Sequence, residues 1–229
     1  MVSTGVCRFG LAQMLAALCI LTACGPPGTS SQWSSPAASA SKAHVNPARI
    51  SRTRGDLPPG YEVDDVGGPA SAAAFWGFGP GWTSEPPRCA VLAAPATDEL
   101  TTKGWSASGP GGIVHTVVSG SPAAPVTLDP AVPADCGHWT ISSGNTNGTV
   151  DLVDAPAIDG ATTIGMHTVA KTVVEGGRET TASAYTFNAY LDDYLTSVTV
   201  VTDPGSPNPP LGGEFAADLL VKTVSALRG

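Results

Sequence analysis

The chain has 229 residues, 13% of them charged, and a formal net charge of −8 at neutral pH. This length provides for one or at most two domains. The acidic balance argues against a nucleic-acid partner and against electrostatic docking on anionic lipid, and it is compatible with simple solubility. With 27 glycines, 21 prolines and few aromatic residues, the composition is typical of a loop-rich domain with short strands.

The first 23 residues have the pattern of a bacterial lipoprotein signal peptide. Arg8 supplies a positive n-region, and Phe9 to Leu21 is an apolar stretch of 13 residues. That stretch is shorter than the roughly 20 residues that span a bilayer, and it fits a signal-peptide h-region. The sequence Leu21-Thr22-Ala23-Cys24 resembles a lipobox, at which cleavage leaves Cys24 as the first mature residue, carrying acyl chains such as palmitate. An ordinary secretory signal is the alternative.

A lipidated Cys24 would hold the protein on the extracytoplasmic face of a cell membrane. Each buried CH₂ contributes about 0.8 kcal/mol, and two or more acyl chains anchor stably where one does not. No later segment reaches 18 apolar residues, so no other membrane span is predicted. Residues 24–45, rich in Gly, Pro, Ser and Ala, predict a flexible tether of roughly 25 Å root-mean-square length. The extracytoplasmic domain is expected over residues 46–229.

Cys89 and Cys136 remain outside the signal peptide and the lipidation site. An even pair in an oxidising compartment predicts a disulfide. It would close a loop of about 48 residues and stabilise the fold by roughly 4 kcal/mol. Metal ligation and a catalytic thiol are the alternatives, but no CxxC or HExxH pattern accompanies the pair.

Helical signals open the domain. Asn46 before Pro47 is typical of a helix start, with an N-cap followed by proline at the first helical position. The predicted helix ends at Leu57-Pro58-Pro59-Gly60, and a strand is expected at residues 61–63. Ala72 to Trp76 predicts a helical turn. The glycine-rich loop after it is only superficially similar to a phosphate-binding loop, since no lysine follows it.

Strands dominate the chain from Trp105 onward. Alternating and β-branched residues predict strands at 113–118, 139–142, 149–153, 164–174, 179–190 and 194–202. A five-residue loop is expected at 144–148, and Gly176-Gly177 predicts a tight primed turn. The chain ends in a predicted amphipathic helix, Gly213 to Arg228. These elements predict an α+β fold, a single antiparallel twisted sheet of about five to seven strands with N-terminal and C-terminal helices packed on it.

The sequence contains no obvious catalytic constellation. The nucleophile motif G-x-S-x-G is nearly met at Gly104-Trp105-Ser106-Ala107, but Ser108 stands where the second glycine belongs. No metal-ligand spacing relates the four histidines, His44, His115, His138 and His167. We therefore expect no catalytic residue, no metal and no cofactor. His115 and His138 become functional candidates only if folding brings them together.

Aromatic residues give an indication of a binding site. Four of them lie between Phe75 and Trp82, and they either cap the core or line a pocket. Tyr185 and Phe187, two residues apart in a strand, lie on the same face of it. Either these rings pack across neighbouring strands, or they line a groove for a sugar or lipid fragment. The candidate ligand-binding residues are Trp76, Trp82, Trp105, His115, Trp139 and Tyr185.

Several motifs resemble a family of mycobacterial lipoproteins of unknown function: Leu57-Pro58-Pro59-Gly60-Tyr61, the pair Cys89 and Cys136, Val174-Glu175-Gly176-Gly177 and Val201-Thr202-Asp203-Pro204-Gly205. The resemblance covers residues 46–229. That family is distantly similar to the extracellular sensor domain of the mycobacterial kinase PknH and to Mog1/PsbP-like lipoproteins. The resemblance implies a twisted antiparallel sheet flanked by helices, with a cleft on one face. PknH-like sensor domains have two disulfides, whereas this domain can form only one.

The sequence thus predicts a monomeric, non-catalytic, lipid-anchored module that binds or senses an envelope ligand. Its expected partners are the membrane, through the lipid on Cys24, and an envelope glycan, lipid or protein; nucleic acid is not expected. Two alternatives stay open. An envelope hydrolase would need a clustered Ser/His/Asp or His/His/Asp group with aligned hydrogen bonds. A structural accessory lipoprotein would show a contiguous exposed apolar patch without a pocket.

Overall fold

The computed structural model describes residues 44–121 and 126–229. The signal peptide, Cys24 and all but the end of the tether lie outside these residues. A 3₁₀ helix, Pro47–Asp56, opens the described chain, and helix α4, Gly213–Arg228, closes it. The short helices are α1 (Ala72–Phe75), α2 (Ala90–Ala93, after a 3₁₀ turn, Pro87–Cys89) and α3 (Ala131–Asp135). Among these residues, no helix has the length and apolar character needed to cross a bilayer.

Nine strands occur in the described residues, and they form one antiparallel sheet in the order β1-β3-β4-β9-β8-β7-β6-β5-β2. The strands are β1 (Glu62–Val66), β2 (Thr83–Glu85), β3 (Asp98–Gly109), β4 (Gly112–Gly120), β5 (His138–Ser143), β6 (Thr146–Val153), β7 (Thr162–Val173), β8 (Glu179–Leu191) and β9 (Tyr194–Val201).

The single antiparallel sheet and the α+β class are confirmed, but the predicted count of five to seven strands is wrong. The two additional strands are β2 and β3. β2 has only three residues, too few to show an alternating pattern. β3 is rich in threonine, serine and glycine, and its pairing with β4 shifts register between Asp98 and Lys103. Both strands therefore lack the apolar alternation that marks a strand in a sequence.

Two turns differ in length from the prediction. The five-residue loop expected at 144–148 is wrong, because Ser143 pairs directly with Thr146 and leaves two residues in the turn. At the other hairpin, Gly176 and Gly177 do adopt positive φ angles of 84° and 75°. There the Val174 N–H donates to the Arg178 carbonyl (2.9 Å), so three residues, 175–177, form the connection.

The two terminal helices contact each other. The predicted helix start is confirmed, since the Asn46 side chain caps the 3₁₀ helix by accepting from the Ala48 N–H (3.0 Å). The Asn46 N–H in turn donates to the Leu227 carbonyl at the end of α4 (2.9 Å). The beginning of the domain is thereby fixed beside its C-terminus.

Helices cover both faces of the sheet, with a hydrophobic cluster beneath each cover. On one face, the 3₁₀ helix and α4 pack over β3, β4, β9 and β8, above a cluster that includes Trp105 and Leu220. On the opposite face, residues of α1 and α2, together with Phe78, belong to a cluster that includes Trp139 and Met166. The rest of the first face, on β7, β6, β5 and β2, presents exposed polar residues such as Thr149. We refer to that region as the polar half-face.

Cys89 and Cys136 form a disulfide, and both are completely buried. The bond joins the 3₁₀ turn before α2 to the residue that follows α3. Because each sulfur is bonded to the other, neither is available as a metal ligand or a nucleophile in this state.

Candidate functional site

Three of the tryptophans predicted to bind a ligand lie inside the core. Trp105 on β3 is completely buried beneath the 3₁₀ helix, where its indole N–H donates to Thr53 Oγ1 (3.2 Å). Trp76 and Trp139 are buried on the opposite face, with ring centroids 6.3 Å apart. Trp82 is half-buried against the same cluster. The buried rings therefore fill the interior, and their large apolar area stabilises the fold.

His115 on β4 is a half-buried, neutral ring. It stacks on Phe75, with centroids 4.1 Å apart, and its Nδ1 has no hydrogen-bond partner among the described residues. Burial lowers the pKa of His115 to about 4. His138 lies on the opposite face, five strands away, so the fold does not bring these two histidines together.

A row of polar side chains crosses the polar half-face. His138, Asp151, His167 and Tyr185 stand directly opposite one another on β5, β6, β7 and β8. His138 Nδ1 lies 2.6 Å from Asp151 Oδ1, and the rings of His167 and Tyr185 stack with centroids 4.5 Å apart. Because such cross-strand neighbours have Cβ atoms roughly 5 Å apart, the four side chains form one continuous strip. We call this strip the His–Asp row.

Ser183 adds a hydroxyl to the His–Asp row. Its Oγ lies 2.8 Å from His167 Nε2, the distance expected of a nucleophile and its base. The main chain of Ser183 is already engaged, since its N–H donates to Thr202 Oγ1 (2.9 Å) and its carbonyl accepts from the Thr202 N–H (2.8 Å). That amide is therefore not free to stabilise an oxyanion. Within the described residues, no group of three or more His, Cys, Asp or Glu side chains could hold a metal ion.

Tyr185 lies where the His–Asp row meets α4. A Cβ atom added at Gly213, the first residue of α4, would come within 2.8 Å of the Tyr185 Cδ1 atom. The close approach of the helix to the ring thus requires glycine at that position. Tyr185 is half-buried, and its ring packs against both the His167 ring and the start of α4.

Two adjacent clefts open at the end of the sheet where β7 begins and β8 ends. They share four lining residues, Val126, Thr127, Leu128 and Tyr190. One has a volume of about 510 Å³ and the other about 300 Å³, both within the size range of small-molecule sites. We call the pair the Tyr190 cleft, and the two parts its larger and smaller lobes.

The lobes differ in chemistry. The larger lobe is bounded by the loop before β7 and carries the hydroxyl of Thr162 and the carboxylate of Asp192. The smaller lobe lies between α2 and α3 and is lined by aliphatic groups, among them Val91, Pro95 and Val132. The Tyr190 cleft therefore has a polar part and an apolar part, separated by the segment 126–128.

Tyr190 lines both lobes of the cleft. Its side chain is only 6% exposed, and its hydroxyl oxygen is buried with no hydrogen-bond partner among the described residues. A buried polar group without a partner costs roughly 1–3 kcal/mol. Burial also raises the pKa of Tyr190 to about 12, so the hydroxyl keeps its proton and can donate a hydrogen bond. Tyr190 is the strongest candidate for a group that a ligand would satisfy.

The Tyr190 cleft lies close to the point where the chain enters the domain. Arg228 at the end of α4 donates hydrogen bonds to the carbonyls of Asp159 (2.6 Å) and Gly160 (2.8 Å), and Gly160 lines the larger lobe. Asn46 is bonded to Leu227, the residue before Arg228. The C-terminal end of α4 therefore contacts both the start of the domain, at Asn46, and one wall of the cleft, at Gly160.

Comparison with known proteins gives one family match and two similar solved structures. A family profile described as a domain of unknown function, DUF5642, matches residues 46–228. The X-ray structure of an uncharacterised Mycobacterium smegmatis protein, the Rv0999 ortholog, has 24% sequence identity and a TM-score of 0.61, and the alignment covers 82% of this chain and 100% of that one. The extracellular domain of PknH from Mycobacterium tuberculosis has 12% identity and a TM-score of 0.42, with 80% and 93% covered. No curated protein matches the chain.

The Tyr190 cleft was not among the sites predicted from the sequence. Its walls come from α2, α3, segment 126–128 and the ends of β7 and β8, which are far apart in the chain. The one available signal was the alternation along β8, which places Tyr190 on the face opposite Tyr185. The His–Asp row was equally hidden, because only the strand register brings its members into line.

Proposed function

The chain belongs to the DUF5642 family of domains of unknown function, and from this premise we propose that it is a lipid-anchored extracytoplasmic module that binds a small envelope ligand without transforming it. The Tyr190 cleft is the binding site in this proposal. The observation that carries it is Tyr190, which lines both lobes and whose buried hydroxyl has no hydrogen-bond partner among the described residues.

The location in this proposal rests on the sequence before the domain. A lipobox ending at Cys24 follows a 13-residue apolar stretch, and a Gly/Pro/Ser-rich segment leads from Cys24 to Asn46. Acyl chains on Cys24 would supply stable anchoring. A tether of about 20 flexible residues would let the domain move over roughly 25 Å above the lipid.

Binding is favoured over hydrolysis by the chemistry of the His–Asp row. Ser183 and His167 are hydrogen-bonded as a nucleophile and base would be. However, Ser183 lies within a strand, and its amide N–H is bonded to Thr202. Acyl transfer depends on preorganised donors at the oxyanion, whose removal costs about 10²–10³ in rate. We therefore assign the row a structural role and the Tyr190 cleft the binding role.

Binding is also favoured over a purely structural role. Among the exposed large hydrophobic side chains in the described residues, Val173 and Val174 are neighbours at the end of β7, and the others lie on different elements, such as Leu100 on β3 and Val221 on α4. Single exposed apolar residues are normal on a soluble surface. A concave site with a buried polar group is the more specific feature.

The proposal predicts that filling the larger lobe removes a ligand that the native protein carries. Thr162 is exposed, lines this lobe and stands directly opposite Tyr190 on β7, so Thr162→Trp would place a ring in the cleft without disturbing the core. We expect native mass spectrometry of the protein from its own membranes to detect a bound species, and we expect this species to be absent from Thr162→Trp.

Thr181→Trp is the matched control, because Thr181 is also an exposed strand residue but pairs with Lys171 near the other end of β8. It should retain the bound species. Tyr190→Phe should weaken retention while leaving the free energy of unfolding unchanged or raised by about 1 kcal/mol, since it removes a buried hydroxyl that has no partner among the described residues. Equal occupancy in wild type, Thr162→Trp and Thr181→Trp would refute the cleft as the binding site.

A further inference from the structure

We propose that the ligand of the Tyr190 cleft is an amphiphile from the anchoring membrane, with an uncharged, hydroxyl-bearing head in the larger lobe and an alkyl chain in the smaller one. This inference rests on the proposed function and specifies the ligand class for the same site. It follows from the chemistry of the two lobes and from their position beside the domain's point of entry.

The smaller lobe offers an apolar surface that is open to solvent. Val91 is 41% exposed there, and Val132 and Leu128 are half-buried. Aliphatic side chains gathered in a concavity lose contact with water when an alkyl group enters, which favours binding. Ser121 and Thr127 also line the lobe, but aliphatic groups outnumber polar ones in its wall.

The larger lobe has the groups that bind a hydroxylated head. Thr127 and Thr162 each supply a hydroxyl that can donate or accept, and the Tyr190 side chain lines the same wall. Asp192 adds a carboxylate to this wall, and Asp129 adds another to the wall of the smaller lobe. These carboxylates repel an anionic head and accept hydrogen bonds from hydroxyl groups. An uncharged polyol head therefore matches the lobe better than a phosphate or a sulfate does.

The position of the cleft favours a ligand that resides in the membrane. The tether joins the domain at Asn46, which is bonded to Leu227 at the end of α4. The next residue, Arg228, holds Gly160 in the wall of the larger lobe. A chain anchored through Cys24 is thus attached at the end of the domain that carries the cleft, which favours encounters between the cleft and membrane amphiphiles.

The test uses residues 24–229 with Cys24→Ser, so that no attached lipid competes. The probe is n-octyl β-D-glucoside, titrated below its critical micelle concentration and followed by chemical shifts at residues lining the cleft. We expect saturable binding that Val91→Asp weakens at least tenfold, because the new carboxylate lies in the apolar lobe. Val221→Asp on α4, where the valine is 42% exposed, is the matched control and should bind as the parent does.

The two parts of the ligand are tested separately. Free glucose should bind at least tenfold more weakly than octyl glucoside, and octyl sulfate should also bind more weakly. Equal effects of Val91→Asp and Val221→Asp, or octyl sulfate binding as tightly as the glucoside, would overturn the inference. If the glucoside fails but a species sensitive to Thr162→Trp still accompanies the native protein, the binding function stands and only the ligand class is refuted. If no such species exists, the proposed function fails as well.

Discussion

His115 makes the stability of the fold depend on pH. Its pKa is about 4 in the folded protein, compared with about 6.5 for an exposed histidine. Above pH 6.5 the ring is neutral in both states, and its contribution to stability is complete. As the pH falls from about 6.5 to about 4, the unfolded chain binds the proton more readily than the folded protein. The free energy of unfolding should therefore decline across this window, by about 3 kcal/mol in total.

His115→Phe should remove this decline. Phenylalanine keeps a flat ring against Phe75 and eliminates both the titration and the Nδ1 atom, which has no hydrogen-bond partner in the part of the chain that the structure describes. We expect chemical denaturation at pH 4.5 and pH 7 to give more similar free energies of unfolding for this variant than for wild type. His44→Ala, at an exposed position, should keep the wild-type dependence. A decline in His115→Phe as steep as that of wild type would assign the effect to other groups.

The aromatic residues show how far composition can identify a site. The sequence left two interpretations for the residues between Phe75 and Trp82, as caps of the core or as the lining of a pocket. Trp76 and Phe78 are both 3% exposed, which supports the first interpretation for these two rings. The residue type could not decide, because a tryptophan stabilises a core and a binding site by the same burial of apolar area.

At the scale of elements, the disulfide joins two parts of the chain that have little regular structure. α2 and α3 have four and five residues, too few to be stable helices on their own. The bond between Cys89 and Cys136 fixes them together across 47 positions of sequence. α2 and α3 also form the walls of the smaller lobe, so the disulfide supports the shape of the cleft.

Replacing both cysteines by alanine should therefore lower the free energy of unfolding by about 4 kcal/mol, mainly because the unfolded chain regains the entropy that the cross-link removes. Urea denaturation of the double variant and of wild type, with and without a reductant, measures this difference. Reduced wild type should resemble the double variant. A loss below about 1 kcal/mol would mean that α2 and α3 are held by packing alone.

The hairpin between β7 and β8 shows why strands were predictable and register was not. The β-branched pattern and the two glycines predicted both strands and the turn between them. Connections of two and of three residues fit such a sequence equally well, and a change of one residue moves every side chain to the other face of the sheet. The three-residue connection 175–177 sets His167 opposite Tyr185. The His–Asp row therefore became visible only with the observed register.

At the scale of the whole molecule, the two helical covers leave one half of one sheet face polar. Composition and periodicity predicted an antiparallel sheet with terminal helices, since these features reflect local burial. They could not predict the Tyr190 cleft, because its walls come from segments between residues 91 and 192 that only the tertiary fold brings together.

The proposed lipid anchor at Cys24 leads to a prediction for the protein as it is made in the cell. If Cys24 is lipidated, Cys24→Ser in the producing cell should move the protein from the membrane fraction to the aqueous fraction, because the domain would lose its acyl chains. Intact-mass analysis should show wild type beginning at Cys24 with added acyl groups, and two hydrogens lighter before reduction because of the disulfide.

Fractionation of Cys89→Ala/Cys136→Ala is the control, since loss of the disulfide should leave membrane attachment intact. The anchor would be refuted if wild type lacked acyl groups and partitioned into the aqueous phase. The position of the cleft near a membrane would then no longer support an amphiphile as its ligand.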